Sequence, residues 1–175
     1  MSAANETVDP KTVIEDAAFP PRNERGVVKP LLLSHGTTEC CDMRATRRFY
    51  EEFLGLECVR HAPTAMAVRC GMKWHIVCLE AGVKSDYSNV HTHWGLDVRT
   101  QEEVDAAWKA AHAMADKYGI GQITEPLWNH GVYSFYLEDL DRNWWEIQYY
   151  PDFQHDDMFD FGDRFPMDGE PGQPR

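Results

Sequence analysis

The fold is decided by the segment "HTHWGLDVR" (91–99) and the segment "TQEEVDAAWKAAHAMADKYG" (100–119) that follows it. Polar and apolar residues alternate in the first segment, which is typical of a β-strand with one apolar face. The second segment repeats apolar residues at helical spacing, begins with a capping box of Thr100 and Glu103, and ends at Gly119. This pattern predicts a strand that leads directly into a helix.

The same strand-to-helix unit occurs once more, earlier in the chain. "LLLSHGTTEC" (31–40) precedes "DMRATRRFYEEFLG" (42–55), where Asp42 can cap the helix and a glycine can end it. Aligning the two copies places His35 on His93, each on the polar face of its strand. The chain therefore contains an internal repeat with one histidine in each copy.

A strand–turn–strand pattern follows each predicted helix. It comprises "TAMAVRCGMKWHIVCLE" (64–80) in the first copy and "VYSFYLEDLDRNWWEIQYY" (132–150) in the second. Matching Trp-His-Ile of the first copy with Trp-Glu-Ile of the second makes His75 the counterpart of Glu146. This match assumes that the two hairpin turns differ in length by about two residues, a difference that loops tolerate.

These elements predict an α+β fold of two tandem βαβββ modules. The modules cover about 30–86 and 89–150, and together they form one domain over 30–150. The flanking segments, 1–29 and 151–175, lack periodicity and are predicted to be arms. Because the C-terminal arm is rich in aromatic residues, we expect a homodimer or a higher homo-oligomer.

The composition excludes several classes of partner. The net charge of −12 and the lack of a basic patch oppose binding to nucleic acid. Five cysteines, an odd number with no metal-binding spacing, indicate reduced thiols. No leader and no apolar run of about 20 residues are found, so we expect a soluble, cytoplasmic protein that does not enter a membrane.

Four segments of the sequence resemble the vicinal oxygen chelate superfamily, which includes glyoxalase I, bleomycin resistance proteins and type I extradiol dioxygenases. They are "SHG" (34–36), "RRFYEEFLGLE" (47–57), "HWGLDV" (93–98) and "SFYLEDLDRNWWEI" (134–147). Two residues depart from the usual pattern of the superfamily: Leu140 stands in place of Pro, and Arg142 in place of Gly. The resemblance implies an open mixed β-barrel around a metal ion.

The metal ligands implied by the resemblance are His35, His93 and Glu146. Two imidazoles and one carboxylate form the facial triad of non-haem Fe(II) enzymes, which leaves coordination positions for substrate and oxygen. Any one of the histidines alone could be a hydrogen-bonded core residue, but their repeat-related positions favour a metal site. For His91 a role beside the metal site and a role as a polar strand residue are both open.

Two further segments resemble the extradiol dioxygenases within the superfamily: "HIVCL" (75–79) and "NHGVYSFY" (129–136). They imply that His75 is the acid–base residue and that Tyr136 and His130 orient the substrate. The implied reaction is ring cleavage of a catechol, a small aromatic diol, with O2 as cosubstrate. Fe(II) is the implied metal, and Mn(II) is the alternative.

Two other functions fit the same superfamily. A lyase or isomerase similar to glyoxalase I would use His75 as a fourth ligand to Zn(II), Ni(II) or Co(II). A drug-sequestering protein would lack the metal ligands, so the ligand set of this sequence argues against that class.

Overall fold

The computed structural model describes residues 35–71, 74–129 and 131–151, which divide between two compact units, Met1–Val83 and Lys84–Arg175. In this part of the chain, each unit has the order strand, helix, three strands. Apart from residue 151, both predicted arms lie outside the described residues. None of the helices in the described part is long and apolar enough to span a membrane.

Among its described residues, the first unit has one helix and one four-stranded sheet. Its elements are β1 (His35–Cys40), α1 (Met43–Glu52), β2 (Glu57–Ala62), β3 (Ala65–Arg69) and β4 (His75–Glu80). The sheet order is β1-β4-β3-β2, with β1 parallel to β4 and the other neighbours antiparallel. The predicted cap of α1 is confirmed, because the Asp42 carboxylate accepts the N–H groups of Arg44 and Ala45 at 2.9 and 3.2 Å.

The second unit repeats this arrangement. Its elements are β5 (His93–Asp97), α2 (Gln101–Tyr118), β6 (Leu127–Asn129), β7 (Val132–Glu138) and β8 (Trp144–Tyr149), in the sheet order β5-β8-β7-β6. Thr100 Oγ1 accepts the N–H of Glu103 at 3.2 Å, and Gly119 ends α2 with a left-handed φ of 70°. The two tandem α+β modules are thus confirmed, and each has one four-stranded mixed sheet among its described residues.

Strand β5 begins later than the alternation of the sequence predicts. Asn89 Oδ1 accepts the N–H of His91, and the Asn89 carbonyl accepts the N–H of Thr92, both at 2.8 Å. These two bonds form a turn, so the strand starts only at His93. His91 is therefore an exposed turn residue and not a member of the strand.

The strand register corrects the alignment of the two copies. His35 lies opposite His75 in the β1–β4 pair, whereas His93 lies opposite Trp144 in the β5–β8 pair. Since His35 corresponds to His93, the counterpart of His75 is Trp144, two residues before Glu146. The sequence match was wrong because the hairpin connections, 70–74 and 139–143, are equal in length.

The β7–β8 turn is organised by Asp139, whose side chain is buried. Its carboxylate accepts the backbone N–H groups of Asp141 and Asn143 at 2.8 and 2.9 Å and the indole N–H of Trp145 at 3.2 Å. Burial and the nearby charge of Asp141 raise the pKa of Asp139 to about 6, although these hydrogen bonds act in the opposite direction. Compared with the unfolded chain, the folded protein therefore favours the protonated form of Asp139.

This raised pKa predicts that stability falls as pH rises. The contribution of Asp139 is fully present below its ordinary pKa of 3.8 and is lost as pH passes through about 6. We expect the loss to be roughly 3 kcal/mol in the free energy of unfolding. The measurement is urea unfolding at several pH values between 4 and 7, with Asp139→Asn as the variant that lacks the titrating group. A wild-type-minus-variant difference that does not change with pH would contradict the prediction.

Arg142 is the only residue other than glycine in the described ranges with a positive φ, 65°. Left-handed backbone destabilises a residue with a Cβ by about 1–2 kcal/mol, and glycine avoids this cost. Glycine also loses more conformational entropy on folding, which offsets part of the stabilisation. We therefore expect Arg142→Gly to raise the free energy of unfolding by about 1 kcal/mol. Arg142→Ala, which keeps the Cβ, is the control, and urea unfolding measures both. An equal gain in the alanine variant would show that backbone strain is not the cause.

Candidate metal centre

One face of the second unit's sheet brings three of the predicted site residues together. Glu146 on β8 lies opposite Gly95 on β5 and Tyr136 on β7. Side chains of directly opposed residues point to the same side of a sheet, as do side chains two residues apart on one strand. His93, two residues before Gly95, therefore shares this face with Tyr136 and Glu146.

The imidazole of His93 is oriented by a backbone carbonyl. Its Nδ1 lies 2.8 Å from the carbonyl oxygen of Val90. A carbonyl can only accept a hydrogen bond, so Nδ1 carries the hydrogen and Nε2 of the neutral ring has a lone pair. A hydrogen bond of this kind on the far nitrogen is typical of metal-binding histidines.

The lone pair of His93 points at a carboxylate. His93 Nε2 lies 3.2 Å from Glu146 Oε2, and the Glu146 side chain is only 10% exposed. Two electron-pair donors at this distance need a positive charge between them, which is either a proton on the imidazole or a metal ion. One imidazole and one carboxylate are a donor set that suits a divalent transition metal, so these residues fit the implied ion.

Tyr136 completes this cluster from β7. Its ring meets the ring of His93 edge-on, with centroids 5.0 Å apart. Burial, followed by the hydrogen bond to Glu146 and the charge of that carboxylate, raises the pKa of Tyr136 to about 12. The phenol is therefore a stable hydrogen-bond donor at neutral pH, and it compensates in part for the burial of Glu146.

The first unit brings the other two predicted histidines together. His35 and His75 lie opposite each other on β1 and β4, and their rings stack with centroids 5.7 Å apart. His75 also lines a cavity of about 320 Å³ whose remaining lining residues are Glu57, Val59, Ala67 and Arg69. His35 is exposed, whereas His75 is half-buried.

The predicted site residues thus fall into one group in each unit. His35 and His75 belong to the first unit, and His93, Tyr136 and Glu146 belong to the second. His130 lies outside the described residues. Within the ranges that the structure describes, no three His, Cys, Asp or Glu side chains form a group that could hold a metal ion.

Two features of the site had no signal in the sequence. The Val90 carbonyl that orients His93 belongs to the backbone of a turn, which residue types do not reveal. The residue that corresponds to Glu146 in the first unit is Val77, because Val77 lies opposite Thr37 as Glu146 lies opposite Gly95. Only the register of the strands identifies this position.

Three solved structures share the fold. A glyoxalase/bleomycin resistance protein/dioxygenase family enzyme from Burkholderia phytofirmans PsJN is 22% identical, with a TM-score of 0.54, and the match covers 66% of this chain and 96% of that one. A fosfomycin resistance protein from Listeria monocytogenes is 20% identical, with a TM-score of 0.53, and the match covers 67% of this chain and 91% of that one. A lactoylglutathione lyase from Agrobacterium tumefaciens is 20% identical, with a TM-score of 0.50, and the match covers 69% of this chain and 94% of that one.

At these identities the likeness shows the fold alone. No curated protein matches the sequence. The family itself is shown by a family model, described as the Glyoxalase/Bleomycin resistance protein/Dioxygenase superfamily, which matches residues 33–147, more than half of the sequence. The chain therefore belongs to the glyoxalase/bleomycin resistance protein/dioxygenase superfamily.

Proposed function

We propose that this protein is an extradiol ring-cleaving dioxygenase that inserts O2 into a catechol-type substrate. Members of the superfamily are mostly enzymes, and they typically bind a divalent metal ion. In the proposal Fe(II) is that ion, and its ligands would be His35, His93 and Glu146. Two imidazoles and one carboxylate are the donor set of non-haem Fe(II) oxygenases.

The observation that carries the proposal is the identity of Val77. By register it occupies the position in the first unit that Glu146 occupies in the second, and its hydrocarbon side chain cannot bind a metal. The repeat therefore offers three ligands and no symmetric fourth, which supports a facial triad over a four-ligand, glyoxalase-like site. His75 corresponds to Trp144, which is not a ligand residue either, and this supports a role for His75 outside the coordination sphere.

The surroundings of His75 support an aromatic substrate and an acid–base role. Val59 and Ala67 provide apolar surface in the same cavity, and an aromatic ring packs well on such side chains. A half-buried imidazole at the edge of this surface can take a proton from one hydroxyl of the diol and return it later in the reaction.

The bound metal ion would supply Lewis acidity and a binding position for oxygen. The protein's own contribution is orientation and proton control. Through the Val90 carbonyl the backbone holds His93 with Nε2 available, and Glu146 supplies negative charge. With a pKa of about 12, Tyr136 keeps its proton, and its single O–H, which bonds Glu146 in the ligand-free protein, would turn to a substrate oxygen once Glu146 holds the metal ion. His130 is proposed as a second group that orients the substrate.

The proposal is tested by preparing the protein without oxygen, loading it with Fe(II) and measuring oxygen uptake with monocyclic, bicyclic and polycyclic catechols. We expect uptake that depends on both iron and catechol, with a yellow ring-opened product. Stoichiometric metal binding without oxygen uptake on any catechol would favour the lyase or isomerase class instead.

The homo-oligomer expected from the sequence stays a prediction, which light scattering can test.

A further inference from the structure

A second cavity lies in the second unit, and none of the residues assigned to the metal centre lines it. Its volume is about 510 Å³, within the usual size of small-molecule sites. Its lining combines hydroxyl, amide and charged side chains with one indole: Ser85, Asp86, Ser88, Asn89, Gln122, Glu138, Arg142 and Trp144.

Ser85 provides an unsatisfied polar atom in this lining. The residue is 2% exposed, and its N–H donates to the carbonyl of Asp141 at 2.8 Å, which fixes its position. Its Oγ is buried and has no hydrogen-bond partner within the described part of the chain. A buried hydroxyl without a partner is costly, and in native structures such a group needs an explanation, of which a bound molecule is one.

Ser88, in contrast, already has two hydrogen-bond partners within the fold. Its hydroxyl donates to the Thr92 carbonyl at 2.9 Å and accepts the N–H of Trp144 at 3.2 Å. Glu138 is used in part, since Oε2 accepts the N–H of Gln122 at 3.2 Å. The groups with capacity for a ligand therefore include the Ser85 hydroxyl and the charged side chains.

The charged side chains of the lining have both signs. Asp86 and Glu138 carry carboxylates and Arg142 carries a guanidinium, and no ion pair among the described residues joins them. A simple anion would meet the two carboxylates, and a simple cation would meet the guanidinium. A molecule with both charges can satisfy both signs, because each of its ends faces an opposite charge.

We propose that this cavity binds a free α-amino acid. Its carboxylate would pair with Arg142 and, with the Ser85 side chain turned toward the cavity, accept a hydrogen bond from the Ser85 hydroxyl, whose backbone is tied to the residue next to Arg142. Its ammonium would lie at Asp86 and Glu138, and its side chain would pack on the edge of Trp144. In this arrangement the ligand supplies the partner that the buried Ser85 hydroxyl lacks.

The first test is a thermal-shift screen of the full chain with the standard L-amino acids, followed by calorimetric titration of the best one. We expect saturable binding, and about tenfold or greater weakening when the same amino acid is N-acetylated or converted to its methyl ester, because each change removes one charge. A screen without any shift would overturn the proposal. Equal affinity for the blocked forms would also overturn it, since the cavity would then recognise something other than a zwitterion.

Two variants test the assigned contacts. Ser85→Ala should weaken binding about fivefold and leave the ligand-free protein as stable or more stable, because it removes an unsatisfied buried hydroxyl. Arg142→Gly should weaken binding about tenfold or more although it relieves the positive φ, so loss of folding cannot explain the result. Arg99→Ala, at an exposed residue outside the lining, is the matched charge control. Unchanged affinity in both Ser85→Ala and Arg142→Gly would overturn the proposal.

Discussion

Glu146→Ala and His93→Ala are each expected to abolish stoichiometric metal binding, with an affinity loss of at least about 100-fold. Replacing a group that only supports a ligand already costs about 10–100-fold in metal affinity, and these substitutions remove a proposed ligand itself. Glu146→Ala also removes the carboxylate that faces His93 Nε2 at 3.2 Å. His35→Ala should have the same effect, since a three-ligand site cannot lose a donor without large loss of affinity. Metal content after anaerobic Fe(II) loading is the measurement.

The chain offers a matched control in His91. It lies two residues from His93, but it is exposed in the turn before β5 and shares no sheet face with Glu146. His91→Ala should therefore keep most of the metal. Full iron content in His93→Ala, together with loss in His91→Ala, would overturn the ligand assignment and point to the turn residue.

His75→Gln is expected to separate binding from catalysis. Because Val77, and not His75, corresponds to the proposed ligand Glu146, the substitution should leave metal content and anaerobic catechol binding nearly unchanged. Ring cleavage should fall by roughly 10²–10⁴-fold, the usual contribution of a positioned proton-transfer group. The measurements are iron titration and the catecholate charge-transfer band under argon, followed by oxygen uptake.

If His75 is instead a fourth metal ligand, its substitution should impair metal binding as well as ring cleavage. The same substitution would then lower metal affinity and change the coordination spectrum before any turnover. Loss of metal in His75→Gln would therefore exclude the acid–base assignment and favour the lyase or isomerase class. Val77→Ala is the control, because it changes the neighbouring position of the same strand face without a titrating group.

The fold was predictable because its signals are local. Asp42 and Thr100 mark helix starts through bonds to N–H groups within the next few residues, and Gly119 marks a helix end through its own backbone freedom. The repeated strand-to-helix pattern then predicted two similar modules, which the structure confirms. The turn residues are local signals as well. Arg142, however, stands where the superfamily usually has glycine, so the sequence did not reveal the positive φ of this turn.

The relations between strands depended on tertiary structure, because pairing joins residues that are far apart in sequence. Which residue lies opposite His75 or Glu146 is set by strand register, and a register shift of two keeps every side chain on the same face. Hydrophobic alternation has a period of two, so it cannot detect such a shift. The sequence therefore predicted the residue types of the candidate site and their sheet faces. The Val90 carbonyl that orients His93 and the buried Ser85 hydroxyl, which has no partner among the described residues, depend on the tertiary structure, because the folded backbone decides which groups meet.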